Sequence, residues 1–284
     1  MNGASVPPVP ASGSGMNVAA AIEGELADAL ASLADGGHRE PRALDAAAAA
    51  LDRALALVRV FRSVLPAERR SVRDDIRAVA RAIRANRRPS TDLAAFDAFV
   101  TAELASHEEH PIDGLDALRA VFVDRRNRAG YGVVGPATVE QVRRAWATAA
   151  TWAPSDDEAV VSLARRAARR ADARRTPSAL RRLGTRARRA AVALDVVATA
   201  QLDRKLDAHA GAIGRVADRA ADAAQVARLR TTLAGAAEAV PADACAAVLD
   251  GLTIRRTELV DETLVLAGEA LSAKPKSVAR DTAD

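Results

Sequence analysis

The sequence predicts an all-α protein, and two observations lead to that prediction. Alanine, leucine, valine and isoleucine supply nearly all of the apolar content, whereas aromatic residues make up 2% of the 284 residues. Apolar residues recur at helical spacing along most of the chain, and almost no segment alternates as a strand would. Alanine is also the strongest helix former. We therefore expect helices packed around an aliphatic core.

Ten helices follow in order, separated by short breaks. They cover about 18–34, 42–65, 67–87, 91–107, 114–128, 137–152, 156–174, 176–200, 201–238 and 241–272. Pro66 is expected to end the second helix, and the third is expected to stop before Pro89. Thr176-Pro177 supplies the cap and the first turn of the eighth helix. The pair Gly211 and Gly214 allows a break in the ninth.

The two ends of the chain differ from the helical part in composition. Residues 1–17 are rich in proline, glycine and serine and are expected to be disordered, and a flexible tail is expected at 273–284. The start lacks the pattern of a secretory signal, and no apolar run reaches the roughly 18 residues of a membrane span. The one cysteine, Cys245, excludes an intramolecular disulfide. These features predict a cytoplasmic protein.

Positive charge is concentrated in two segments. Arg165–Arg189 contains eleven arginines and one acid, and Arg59–Arg88 contains ten arginines and three acids, whereas the rest of the chain has 20 basic and 33 acidic residues. Such segregation creates a local field that attracts anions. Arginine makes up 38 of the 41 basic residues, and its planar fork grips phosphate oxygens in pairs. A GC-rich genome would explain the ratio of arginine to lysine, but not the clustering.

Both segments place arginines at helical spacing. Arg73, Arg77, Arg81, Arg84 and Arg88 fall on one face of the predicted third helix, opposite its apolar residues. A second stripe, Arg182, Arg186 and Arg189, runs along the eighth helix. Like charges one turn apart repel by a few tenths of a kcal/mol. The stripes therefore indicate either simple exposure to solvent or an anion that relieves the repulsion.

The second basic segment resembles a known family signature. TPSALRRLGTRARRAAVALD (176–195) aligns without gaps to the second-repeat signature of the conserved-histidine α-helical domain (CHAD), roughly TPEALHRLRIAAKRLRYALE. The positions that match in identity or charge are Leu180, Arg182, Leu183, Ala187, Arg188, Arg189, Ala193 and Leu194. LDAAAAALDRALALVRVFRSVLP (44–66) similarly resembles the first-repeat signature, and LDAHAGAIGRVAD (206–218) a later motif. The resemblance covers most of residues 25–270.

The chain departs from the family pattern at particular positions. Asp45 and Arg181 stand where the two signature histidines are expected. Ala48 and Asp52 replace arginines of the first repeat, and Gly184 replaces one of the second. A glycine inside a helix also costs about 1 kcal/mol relative to alanine. The resemblance is therefore to a divergent member without either histidine.

The resemblance implies two related antiparallel helical bundles, pseudo-repeats at about 18–135 and 136–272, whose long basic helices line a shared groove. Family members of this type bind inorganic polyphosphate and associate with its granules. They often accompany a triphosphate-processing catalytic domain that carries an ExExK motif. The nearest string here, Glu23–Ala27, lacks the lysine. A separate triphosphate-processing enzyme is therefore a candidate partner, rather than a module of this chain.

The main hypothesis is non-enzymatic binding of inorganic polyphosphate or a similar polyanion through the arginine-rich helices, with no cofactor and no metal. The candidate binding residues are Arg53, Arg73, Arg77, Arg81, Arg84, Arg165, Arg166, Arg169, Arg181, Arg182, Arg186, Arg188 and Arg189. No nucleophile elbow, phosphate-binding glycine loop or acid/base carboxylate pair is evident. His107 and His110 are three residues apart rather than the four of a helical zinc motif, so surface positions are favoured over a metal site.

Two other classes of function stay open. The acids Asp45 and Asp52 favour a degenerate structural or protein-interaction module, in which they would pair with Arg182, Arg186 or Arg189 inside the molecule. An open groove of unpaired arginines would favour polyanion binding instead. Sequence-independent nucleic-acid binding is the third class, although the scarcity of aromatic residues argues against stacking on single strands.

Overall fold

A computed structural model describes residues 17–34, 37, 40–104, 113–129, 134–172 and 179–272. Within them the chain forms helices and no strand, which confirms the all-α class. The α-helices are α1 (Val18–Leu33), α2 (Pro41–Val60), α3 (Arg69–Phe99), α4 (Leu115–Arg128), α5 (Pro136–Ala149), α6 (Asp157–Asp172), α7 (Leu180–Gln201), α8 (Arg204–Ala234) and α9 (Ala242–Ser272). A π-helical turn, Val100–Leu104, extends α3, and a 3₁₀ turn, Ala237–Ala239, precedes α9.

Several expectations fall outside the described residues. These are the two tails, the Thr176-Pro177 cap, and the histidine pair His107 and His110. None of the described helices is both long enough and apolar enough to cross a membrane.

The expected break before Pro89 is wrong, because α3 runs through this proline to Phe99. Proline removes one backbone hydrogen bond of a helix, and that local cost is offset by packing on both sides. Ile83 belongs to the larger apolar cluster and Phe96 to a second one, so a continuous helix connects the two. Just after the proline, the carbonyl oxygen of Thr91 accepts a hydrogen bond from Gln225 Nε2 of α8 at 3.1 Å.

The second helix ends at Val60, five residues earlier than the sequence predicts. The ring of Pro66 would clash with the carbonyl four residues before it and disfavours a helical conformation at Leu65. The last turn therefore opens before the proline. Phe61 and Leu65 are nevertheless buried, so the turn still covers the apolar positions that the helix would have covered.

Two apolar clusters hold the helices together. The larger joins α1, α2, the first half of α3, α5, α6, α7, the first part of α8 and the end of α9. The smaller joins the second half of α3, α4, the end of α8 and the start of α9. In the smaller cluster the rings of Phe96 and Phe122 stack with centroids 4.8 Å apart. The long helices α3, α8 and α9 contribute to both clusters and so connect them.

Helices α7 and α8 pack closely at Gly184. A Cβ atom at this position would lie 2.6 Å from the Cβ atom of Ala220, closer than real side chains approach. The glycine that weakens α7 as a helix therefore lets the two backbones come together. No break occurs between Gly211 and Gly214, because α8 continues from Arg204 to Ala234 and packs along α7.

Candidate anion-binding groove

A groove of about 450 Å³ lies where α2, α3, α7 and α8 meet. Arginines form most of its charged lining, and they are Arg59, Arg77, Arg81, Arg84, Arg181, Arg188 and Arg189. Asp52 is the one carboxylate among the described lining residues. Helix α8 contributes only alanines to the lining, so their methyl groups form an apolar floor between the charged walls.

Helical spacing explains how each wall is built. On α3 the apolar residues Ile76, Val79 and Ile83 are buried in the core, which turns Arg77 and Arg81 toward the opposite face. On α2, Asp52 and Arg59 are seven residues apart and so lie two turns from each other on the same side. The direction of the apolar stripes toward the core therefore determines which charged residues line the groove.

Few of the groove arginines have an acidic partner. Arg84 pairs with Asp52, and Arg188 Nη2 lies 2.5 Å from the Asp218 carboxylate of α8. Arg77 Nη1 lies 3.9 Å from Asp74, too far for a hydrogen bond. The remaining groove arginines have no ion-pair partner within the described part of the chain; they are Arg59, Arg81, Arg181 and Arg189.

The charges in the groove repel one another. Partial burial lowers the pKa of Arg59, and the positive charges of Arg189, Arg77 and Arg73 lower it further. Burial also lowers the pKa of Arg189, with added repulsion from Arg186 and Arg77. Asp52 attracts Arg59 and offsets a part of these effects. Positive charge that is partly desolvated and incompletely balanced by a counter-charge is unfavourable. A bound anion would remove that penalty.

Asp52 sits among these cations in a partly buried position. Its pKa is raised above the ordinary 3.8, chiefly because burial disfavours the carboxylate, although Arg84, Arg188 and Arg59 oppose the rise. One carboxylate among seven lining arginines neutralises only part of their positive charge.

A smaller hollow of about 320 Å³ adjoins the groove on α7. It is lined by Arg181, Arg182, Thr185, Arg186 and Arg189, so it shares two arginines with the groove. The Nη1 atom of Arg186 donates a hydrogen bond to the carbonyl oxygen of Arg170 in α6 at 2.9 Å. This contact joins the last turn of α6 to α7.

Some candidate residues lie elsewhere. Arg53 is paired with Glu25 of α1 at 2.6 Å, and that hydrogen bond raises the pKa of the guanidinium. Arg73 is paired with its neighbour Asp74 at 2.9 Å, although its charge still reaches Arg59. Helix α6 carries three further candidates, which line neither the groove nor the adjoining hollow: Arg165, Arg166 and Arg169.

Sequence reasoning missed Arg59 as a groove residue. It begins the first basic segment and lies within residues 44–66, which resemble the first-repeat signature, but the candidate residues from that stretch include only Arg53. The helical spacing of α2 could have shown that Arg53 and Arg59 lie on different faces of the helix. Arg59 shares a face with Asp52, whereas Arg53 is rotated by about 100° from Asp52 on an α-helix and points toward α1.

The acids of α2 pair with α3 rather than with α7. The Asp45 carboxylate accepts two hydrogen bonds from Arg87, at 2.9 and 2.8 Å, and Asp52 pairs with Arg84. The pairing that would favour a degenerate structural module required Arg182, Arg186 or Arg189, and no such pair is found among the described residues.

Fold and groove together define an all-α helical-bundle protein with an arginine-lined groove between its long helices. Comparison with solved structures gives this class a name. The CHAD domain from the plant Ricinus communis superposes with a TM-score of 0.64 at 17% sequence identity, covering 96% of this chain and 98% of that one. PptA from Streptomyces chartreusis superposes with a TM-score of 0.63 at 18% identity, covering 90% and 98%.

The chain therefore has the CHAD fold, and the resemblance read from the sequence is confirmed at the level of the fold. No family model and no curated protein matches the chain. That result is consistent with the replaced signature residues Asp45 and Arg181. Across the described residues no group of three or more His, Cys, Asp or Glu side chains is arranged to hold a metal ion.

Proposed function

We propose that the protein is a non-enzymatic binder of inorganic polyphosphate, or of a polyanion like it, and that the groove is the binding site. The observation that carries the proposal is the set of unpaired, mutually repelling arginines that α2, α3 and α7 direct into one groove. The CHAD fold supports the same ligand, because the resemblance implies polyphosphate binding. A cytoplasmic location, with association to polyphosphate granules, completes this proposal.

The chemistry of the groove suits a linear chain of phosphates. Each guanidinium can donate two parallel hydrogen bonds to phosphate oxygens, and several arginines can neutralise successive phosphates. Neutralisation releases condensed counterions, so binding gains free energy that falls as salt rises. Helix α8 lines the groove with alanines alone, and its Asp218 carboxylate is already paired with Arg188.

Arg181 compensates in part for the missing signature histidines. It stands at the second-repeat histidine position and lines the groove. Histidine titrates near neutrality, whereas arginine stays charged at every physiological pH. The substitution therefore keeps a permanent cation at that place. Asp45, at the first-repeat position, pairs with Arg87 and does not line the groove.

The proposal is tested by charge reversal at two exposed groove arginines. The double variant Arg81→Glu/Arg181→Glu is expected to bind long-chain polyphosphate at least roughly a hundredfold more weakly, because two phosphate contacts become repulsions. The matched control is Arg230→Glu/Arg256→Glu, which reverses two exposed arginines of α8 and α9 outside the groove. Affinity is measured by titration calorimetry near physiological salt.

Two results would contradict the proposal. One is wild-type protein that does not bind long-chain polyphosphate in about 0.1 M salt, where counterion release still favours binding. The other is an equal loss of affinity in the groove variant and in the control, which would show that only net charge matters. Duplex DNA should compete weakly, and stronger binding of DNA than of polyphosphate would favour the nucleic-acid alternative.

A further inference from the structure

A second and larger cavity, of about 750 Å³, lies between α3, α4 and α8. Its charged lining consists of Arg88, Arg125, Arg128, Arg228, Asp92 and Asp124. The rest of the lining is made of small apolar and hydroxyl side chains, most of them on α8 and the turn after it. Neither the candidate residues nor the groove account for this cavity.

Both aspartates of the cavity already have partners. Asp92 is buried, with 4% of its side chain exposed, and its Oδ1 lies 3.5 Å from Arg228 Nε. Within the described part of the chain neither of these two atoms has a hydrogen-bond partner, although each is fully buried. Asp124 Oδ2 lies 3.2 Å from Arg128 one turn along α4. The negative charges of the two aspartates are thus balanced by arginines of the same cavity wall.

The two remaining arginines are free to bind an anion. Arg88 and Arg125 have no ion-pair partner in the described ranges, and both are exposed. The cavity therefore keeps a net charge of two positive units after its internal pairs are counted. This is the pattern of the groove, where paired arginines alternate with unpaired ones.

The cavity and the groove lie side by side along the same two helices. On α3, Arg84 lines the groove and Arg88 lines the cavity, one turn or about 6 Å further on. On α8, Ala224 lines the groove and Ala227 lines the cavity, again about one turn further on. Each of the two helices therefore lines the groove with one turn and the cavity with the next.

We propose that the cavity continues the groove and binds a further segment of the same polyanion chain. This inference rests on the function proposed for the groove. The combined track follows α8 from Ala217 to Thr232, about 22 Å along the helix axis. A chain held in the groove reaches the cavity at high effective concentration, so even two unpaired arginines add measurable affinity.

Chain length separates this track from the groove alone. Tripolyphosphate is too short to extend along the whole track of about 22 Å, whereas long-chain polyphosphate can follow all of it. The double variant Arg88→Ala/Arg125→Ala is expected to bind the long chain roughly tenfold more weakly and tripolyphosphate as tightly as wild type does. The slope of log affinity against log salt for the long chain should also become shallower by about one unit.

The matched control is Arg126→Ala/Arg230→Ala, which removes two exposed arginines from α4 and α8, two of the helices that line the cavity, without touching either opening. It is expected to change long-chain affinity less than about twofold, since distant surface charges are screened. Circular dichroism and thermal unfolding of all variants establish that each one is folded.

Three outcomes overturn the inference. Equal long-chain affinities for Arg88→Ala/Arg125→Ala and its control would show that the cavity does not contact the chain, while the groove proposal would stand. A loss of tripolyphosphate affinity in Arg88→Ala/Arg125→Ala would make the cavity a separate site for small anions. Wild-type protein that binds no long-chain polyphosphate would remove the groove proposal and the track together.

Discussion

Asp52 is the residue at which the groove is most sensitive to protonation. Its pKa is raised, mainly by burial, and its carboxylate forms an ion pair with Arg84. Because the pKa lies above the ordinary 3.8, this carboxyl takes up its proton at a higher pH than an exposed aspartate does. Protonation removes a negative charge from the groove and frees Arg84. Anion affinity should therefore rise as pH falls toward and through this raised pKa.

The variant Asp52→Asn should reproduce the effect of protonation at neutral pH. We expect it to bind long-chain polyphosphate about fivefold more tightly, as suits the loss of one partly exposed ion pair. Its affinity should also depend less on pH than that of wild type. Titrations at neutral and mildly acidic pH measure both effects.

Asp45→Asn is the matched control for this prediction, since Asp45 lies on the same helix and pairs with Arg87 outside the groove. It should leave affinity and pH dependence unchanged. If Asp52→Asn binds the anion no better than Asp45→Asn does, the anion does not enter the groove beside Asp52.

At the scale of the helices, Gly184 determines how closely α7 approaches α8. The Cβ atom of an alanine there would lie 2.6 Å from Ala220 Cβ, so the helices would have to separate. A gain in helix propensity of up to about 1 kcal/mol would be outweighed by an overpacking cost of about 1–3 kcal/mol. Gly184→Ala is therefore expected to lower the free energy of unfolding.

Gly211→Ala provides the contrasting case on α8. A Cβ atom at this helical position would meet nothing within 4 Å, so the variant should be more stable by up to about 1 kcal/mol. Urea unfolding measures both variants. Adding Ala220→Gly to Gly184→Ala should recover stability; failure to recover it would mean that the Gly184 contact does not limit the packing.

Helices α3 and α7 show where sequence patterns stop being informative. The periodicity of apolar residues predicted the helical segments, although α3 was predicted as two helices, and the stripe of α3 predicted which arginines face away from the core. Local rules failed at Pro89, because the buried residues on both sides, Ile83 and Phe96, outweigh one lost hydrogen bond. Local rules also assigned Gly184 only a loss of helix stability. They could not show its close contact with Ala220, because that residue is distant in sequence.

For the whole molecule, the segregated charge seen in the sequence becomes one basic surface only after folding. Arg59, Arg77 and Arg189 come from three helices, and neither spacing nor composition places them together. The CHAD resemblance did predict a shared groove between basic helices. It did not predict which arginines would be neutralised, because the pairs Asp45–Arg87, Asp52–Arg84 and Arg188–Asp218 depend on tertiary contacts.

Repulsion within the groove should lower the stability of the free protein. We expect its melting temperature to rise between low and moderate sodium chloride concentrations, because salt screens the unpaired arginines. Long-chain polyphosphate should raise it further at low salt, since a ligand of the native state stabilises by mass action. Differential scanning fluorimetry measures both effects. A melting temperature that falls with sodium chloride would argue against net repulsion.

The central claim is that unpaired groove arginines neutralise a polyphosphate chain, and the salt dependence of binding tests it most directly. The affinity of wild-type protein for long-chain polyphosphate should fall with salt along a log–log slope of about −3 or steeper, as expected when at least four arginines release counterions. The slope for Arg81→Glu/Arg181→Glu should be shallower by at least about one unit. A wild-type slope near zero, or the same slope in wild type and this variant, would contradict the account.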